Sequence, residues 1–121
     1  MFSYQIEDGT LIITETGTGK IIWQGKPFLT KVSKVIPYSL KECLILLDYY
    51  DFGRTDYSYK GNLFLMNING EIIWHAELPS TGDIYVYFNY KDNKITANSN
   101  GGFHVQIDPK TGKIIYLKFT K

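Results

Sequence analysis

The sequence has a single cysteine, Cys43, so no disulfide can form within the chain. A fold built for an oxidising compartment is not expected. Excess charge is also lacking. The 13 Lys and Arg stand against 12 Asp and Glu, a net +1, which removes the electrostatic case for a nucleic-acid partner. No apolar run approaches the ~18 residues of a membrane span. Met1-Phe2-Ser3-Tyr4-Gln5 lacks the basic start and long apolar stretch of a secretory signal. The expected setting is cytoplasmic, with no membrane association.

What the sequence does have is aromatic and apolar mass. Of 121 residues, 44% are hydrophobic and 16% aromatic, with 10 Tyr and 7 Phe. Disordered chains are poor in aromatics and rich in net charge, so an ordered core is expected. The length suits one domain, 1–121, whose core needs no metal or disulfide staple.

The periodicity is that of strands. Short runs of Ile, Val, Leu, Tyr and Phe recur, each closed by Gly, Asn, Asp or Pro. They predict eleven strands at 2–6, 11–15, 20–24, 31–37, 43–49, 62–67, 71–76, 84–90, 94–98, 103–108 and 113–119. Asp8-Gly9, Asn69-Gly70, Lys91-Asp92-Asn93 and Pro109-Lys110-Thr111-Gly112 carry residues that tolerate positive φ in tight hairpins. In 84–90, alternation sets Tyr85, Tyr87 and Asn89 on one face and Ile84, Val86, Phe88 and Tyr90 on the other. Leu44-Ile45-Leu46-Leu47 is apolar throughout, as a strand covered on both faces would be. Only 39–43 has the makings of a helical turn.

The sequence also repeats itself. Gly19-Lys20-Ile21-Ile22-Trp23, Gly70-Glu71-Ile72-Ile73-Trp74 and Gly112-Lys113-Ile114-Ile115-Tyr116 each close a hairpin, at a period of roughly 40–50 residues. Recurrence at one place in a structural repeat predicts that Trp23, Trp74 and Tyr116 all pack between adjacent sheets. Ile107-Asp108-Pro109-Lys110-Thr111-Gly112-Lys113-Ile114-Ile115-Tyr116 resembles the blade repeat of quinoprotein-type β-propellers. The resemblance implies an all-β, antiparallel fold of two to three propeller-blade-like sheets. Two would be complete (31–76 and 84–119) and one would be a three-stranded start (2–24). A closed ring needs at least four blades, so the expectation is an open half-propeller. Quinoprotein cofactors and metals sit in the ring's central channel, so no cofactor residues carry over and no cofactor is expected.

Catalytic signatures are sparse. His75 and His104 lie within hairpin repeats, with no acid or nucleophile at a diagnostic spacing. Hydrogen-bonded strand histidines are the expectation. No cluster of His, Cys, Asp and Glu has metal-ligand spacing. Cys43 opens the apolar run and is expected to be a buried, inert thiol. Gly17-Thr18-Gly19-Lys20 lacks the frame of a phosphate loop, because a strand and not a helix follows.

One segment breaks the hairpin economy. It runs Asp48-Tyr49-Tyr50-Asp51-Phe52-Gly53-Arg54-Thr55-Asp56-Tyr57-Ser58-Tyr59-Lys60-Gly61. Aromatic side chains and Arg are the usual anchors of protein interfaces, and aspartates favour a basic partner. Asp48, Tyr49, Tyr50, Asp51, Phe52, Arg54, Asp56, Tyr57 and Tyr59 are therefore expected to bind a protein. Asp83 and Tyr85 join them if the connection after residue 76 lies beside the insert. The competing reading is a long hairpin end whose tyrosines merely cover the sheet.

With no catalytic cluster, a binding protein is expected rather than an enzyme. The size, the repeat style and the 108–115 ending resemble small immunity proteins of bacterial polymorphic-toxin and contact-dependent growth-inhibition systems. The chain is expected to be complete, from Met1 to a last strand ending at Lys121. The resemblance implies a tight one-to-one complex with a basic toxin domain, a nuclease, whose active site is occluded. The alternative is an assembly module that self-associates through open sheet edges, as a homodimer that closes a ring.

Overall fold

The computed structural model describes residues 1–120; the chain end expected at Lys121 lies outside them. Eleven strands form three antiparallel meanders. Sheet 1 holds β1 (Phe2–Glu7), β2 (Thr10–Glu15) and β3 (Ile21–Gly25). Sheet 2 holds β4 (Val32–Ser39), β5 (Glu42–Leu47), β6 (Leu63–Asn67) and β7 (Ile72–His75). Sheet 3 holds β8 (Tyr85–Lys91), β9 (Lys94–Ser99), β10 (Phe103–Ile107) and β11 (Ile114–Phe119). The eleven expected strands are all present, grouped as the repeats predicted.

Local chemistry sets the hairpins. Asp8-Gly9 (φ 51° and 81°) and Asp92-Asn93 (φ 53° and 62°) are two-residue turns with both central residues left-handed. That handedness matches the twist of the flanking strands. The expected helical turn at 39–43 is instead the tight β4–β5 connection, pinned by Ser39 Oγ donating to Glu42 Oε1 at 2.7 Å. The α-helix of the chain, α1 (Tyr49–Gly53), lies within the insert.

The sheets stack face to face around two cores. β5 and β6 serve both, because successive strand residues point to opposite faces. Cys43, Ile45, Leu47, Phe64 and Met66 face sheet 1 and meet Leu11 and Ile13. Leu44, Leu46, Leu63 and Leu65 face sheet 3 and meet Phe88, Ile95, Val105 and Ile107. The uninterrupted apolar run of β5 follows from that two-sided burial.

Each joint between sheets is locked by one aromatic. Trp23 on β3 lies over the β6–β7 turn, where a side chain at Gly70 would overlap its indole. Trp74 on β7 lies over the β10–β11 turn, where a β-carbon at Gly112 would stand 2.7 Å from its ring. The Trp74 Nε1–H also donates to the Pro109 carbonyl at 3.0 Å. Tyr116 holds the same register on β11, paired with Gln106 as Trp74 is with Leu65 and Trp23 with Ile13. It is nevertheless 54% exposed, which corrects the expectation that all three are packed. No sheet follows sheet 3 among the described residues, so the position has nothing to cover.

Truncation should separate these three positions. Trp74→Ala should lose about 3–5 kcal/mol, from a lost indole and the cavity it leaves. Tyr116→Ala should change stability by less than about 0.5 kcal/mol, as exposed substitutions do. Urea unfolding of the two variants checks the order, and equal losses would remove the joint from sheet 2–sheet 3 packing.

Candidate functional site

In an antiparallel meander, alternate connections gather at the same end of the strands. The β3–β4, β5–β6 and β7–β8 connections gather side by side, and the β7–β8 connection also reaches the β10–β11 turn, where the Glu77 N–H donates to the Gly112 carbonyl at 2.8 Å. The β5–β6 connection is the insert. It folds because its own residues supply caps and an anchor. Asp48 caps α1, its Oδ1 accepting the Asp51 N–H at 3.0 Å. Phe52 is fully buried and edge-on to Phe28, 5.8 Å between ring centres. Thr55 Oγ1 donates to the Phe52 carbonyl at 2.8 Å, and a 3-10 turn at Ser58–Lys60 follows.

Asn62 then returns the chain to the core. Fully buried, it donates from Nδ2 to the carbonyls of Leu47 (3.0 Å) and Tyr85 (2.7 Å). Its Oδ1 accepts the Tyr85 N–H at 2.9 Å. One amide thus closes the base of the insert and ties it to sheet 3, with its polar groups satisfied as burial demands.

With Phe52 turned in, the tyrosines are left outside. Tyr49, Tyr50, Tyr57 and Tyr59 are all exposed, Tyr59 to 74%. Tyr50 carries the Arg54 guanidinium at 5.5 Å from its ring centre. A groove of about 300 Å³ runs between the insert (Tyr49, Gly53, Ser58, Tyr59) and the β7–β8 connection (Thr81–Ile84). The two connections do lie side by side, Gly53 being backed by Ile84.

Two expected binding residues are not on this surface. Phe52 is core, and Tyr85 is fully buried with its hydroxyl donating to the Glu77 carbonyl; burial raises the Tyr85 pKa well above that of free tyrosine. The cause for Tyr85 is a bulge. Tyr85 pairs with Ser99 and Tyr87 with Asn98, so Val86 is the extra residue and the alternation slips by one. Tyr85 and Phe88 then face the core together, and Val86 and Tyr87 face out. Asp83 borders the groove, but its Oδ1 accepts from the N–H groups of Ile84 (2.8 Å) and Gly101 (2.9 Å). Asp48 is committed to its helix cap. Asp56 is exposed and Asp51 half-buried, leaving these two as the acids least tied to the fold.

The structure adds a residue that sequence reasoning passed over. Leu29, in the β3–β4 connection, is 95% exposed and holds φ 57°, next to Phe28 at φ 54°. Bulky residues rarely adopt this left-handed conformation. Phe28 justifies its strain by wedging its ring among Phe52, Tyr57, Phe64 and His75, at 5.3–6.1 Å between ring centres. Leu29 makes no such use of it and stands in water, one residue from the ring that meets Tyr57. The signal in the sequence was slight: an apolar pair, Phe28-Leu29, inside a connection.

The histidines and the thiol have structural places. His75 stacks on Phe28 and Phe64, and its Nδ1 lies 3.1 Å from the Gly61 carbonyl. A carbonyl only accepts, so Nδ1 carries the proton. His104 Nδ1 meets Asn98 Oδ1 at 2.5 Å across the β9–β10 pair. Cys43 is fully buried, and that burial pushes its thiol up to about 12. Among the described residues, no three of His, Cys, Asp and Glu gather as a metal site would need, and no helix is long and apolar enough to cross a membrane.

These features define a class: an all-β, β-propeller-like stack with loops concentrated at one end. The chain belongs to the family described as a domain of unknown function, DUF7957, whose model matches residues 27–119. That span takes in sheets 2 and 3 with the insert and leaves sheet 1 outside. No curated protein matches the sequence. Solved structures give the fold alone. The computationally designed Ika4 protein aligns at TM-score 0.66 and 14% identity, over 99% of this chain and 68% of its own. The designed Ika8 protein aligns at 0.62 and 14%, over 99% of this chain and 33% of its own. BamB from Moraxella catarrhalis, a β-propeller, aligns at 0.57 and 19%, over 97% of this chain and 32% of its own. The chain thus spans about a third of Ika8 and of BamB.

Two outcomes follow from this end of the molecule. Leu29→Gly should keep or raise stability, by up to about 1 kcal/mol, because glycine accepts positive φ and no packing is lost. A clear loss in thermal unfolding would mean that the backbone there is unstrained. For His75, burial holds the pKa below its ordinary 6.5, and nearby Lys60 adds to the effect. The unfolded chain therefore binds the proton more readily, and His75's stabilising contribution is lost as pH falls below about 6.5 toward the lower folded value. Melting temperature between pH 7.5 and 5 should drop more steeply in the wild type than in His75→Gln; parallel curves would show that His75 titrates alike in both states.

Proposed function

We propose that this chain is a protein-binding module that inhibits rather than catalyses. On this reading it is an immunity protein, held in the cytoplasm, that neutralises a cognate toxin domain. The observation that carries the reading is the shared exposure of Tyr49, Tyr50, Tyr57, Tyr59 and Leu29 at one end of the stack. Tyrosines offer large contact area at low entropic cost and tolerate partial wetting, which suits a surface that is bare until its partner arrives. Leu29 supplies an apolar tip for a pocket on the partner. Asp51 and Asp56 favour a basic surface, such as a nuclease cleft, where carboxylates take the place of substrate phosphates. The toxin is occluded one-to-one, and the groove beside Tyr59 admits a protruding partner side chain. His75 and His104 are both engaged in structural contacts, which fits a non-catalytic role.

The test is affinity capture from the native source with the tagged wild type and the Asp51→Lys/Asp56→Lys variant, followed by mass spectrometry. The wild type should recover one basic domain at equal stoichiometry and abolish its nuclease activity. The variant should melt like the wild type and associate more slowly at low salt. Equal capture by both would take the insert out of the interface.

A further inference from the structure

Sheet 1 and sheet 3 each present a free face, and the geometry points to their meeting between copies: β11 of one molecule seats Tyr116 on the Gly19 turn of a second. This contact uses Tyr116 and Gly19, neither of which belongs to the loop face, so each reading can fail without the other.

The joint between sheets is made twice inside the chain. Trp23 covers the Gly70 turn, and Trp74 covers the Gly112 turn. The third member of the series, Tyr116, is bare. The series also leaves one turn uncovered. Gly19, between β2 and β3, has open space within 4 Å of where a side chain would start.

That turn is a copy of the covered one. Glu15 N–H bonds the Lys20 carbonyl at 2.8 Å, as Asp108 N–H bonds that of Lys113 at 2.8 Å. Gly19 N–H bonds the Glu15 carbonyl at 2.8 Å, as Gly112 N–H bonds that of Asp108 at 2.8 Å. Lys20 N–H meets Thr18 Oγ1 at 3.2 Å, as Lys113 N–H meets Thr111 Oγ1 at 3.2 Å. The glycines hold φ 73° and 77°. The socket that receives Trp74 is thus built a second time at Gly19 and left empty, while one aromatic of the right register has no socket.

Charge complements the pairing in part, because Lys20 stands in the Gly19 turn itself. On the open face of sheet 3, Lys118 pairs across to His104. On the open face of sheet 1 stands Glu7, with Asp8 in its turn and Glu15 at its edge. The rest of both faces is largely polar: Gln106 and His104 stand where sheet 2 has Leu65 and Leu63, and Gln5 and Thr14 line sheet 1 together with Ile12 and Ile21. Polar outer faces keep terminal repeats soluble. The joint is therefore reversible and concentration-dependent, unlike the two inside the chain.

Such a contact is head-to-tail, and it either closes or propagates. Two copies bring six sheets, within the four to eight blades of closed propellers, so closure as a dimer is the expected end point.

Sedimentation velocity across a concentration series tests this, with Tyr116→Ser and Gly19→Asn as variants. Tyr116 is exposed, and asparagine tolerates the left-handed turn while filling the socket, so both variants should melt like the wild type. Wild type should shift from monomer to dimer with concentration, and each variant should need at least ten times more protein. Mixing the variants should restore association, because the Gly19→Asn chain keeps its tyrosine and the Tyr116→Ser chain keeps its socket. A monomer up to about 1 mM, where even millimolar affinity shows, would overturn the inference. So would variants that dimerise like the wild type, or a mixture that associates no better than its components.

Discussion

The molecule depends on a middle sheet that is apolar on both sides. β5 and β6 feed Cys43, Ile45, Leu47, Phe64 and Met66 to one core and Leu44, Leu46, Leu63 and Leu65 to the other. Neither flanking sheet has that property. Sheet 1 and sheet 3 each bury one face against sheet 2 and turn a polar face outward. The stack is held by its centre and finished at its ends, and one tryptophan spans each of its two joints.

The same arrangement positions the loop face. Asn62 sits at the exit of the insert and holds it against both Leu47 and Tyr85, so the tyrosines ride on a fully satisfied, buried amide. Phe28 and Phe52 interlock beneath them. The exposed tyrosines are therefore side chains on a braced platform, and a partner would lose little backbone freedom in binding them.

Much of the fold was legible because its signals are local. Turns such as Asp8-Gly9 and Asp92-Asn93 state their conformation in two residues, and the Gly-Lys-Ile-Ile-aromatic repeat marks each outer strand. The features missed depend on what lies across from them. The bulge at Val86 turns Tyr85 inward, where its N–H and carbonyl meet Asn62, and no pattern in 84–90 encodes it. Phe52 reads as an interface aromatic until Phe28 is placed beside it. Leu29 takes its strained backbone from a connection that must cross between sheets. Tyr116 looks like Trp74 in sequence and differs only in having no neighbour to cover. The insert was thus legible as a segment, while its division into buried and exposed residues required the third dimension.

The placement of Cys43 gives this architecture its own clock. The thiol lies in the seam between sheets 1 and 2, fully buried, with its ionisation pushed up to about 12. A thiolate is the reactive form, so in the closed stack the sulfur is silent. It becomes visible to a reagent only while that seam is parted. Sheet 1 lies outside the matched family span, so the seam is also the edge of that match. The lifetime of the native thiol therefore times how often sheet 1 lets go.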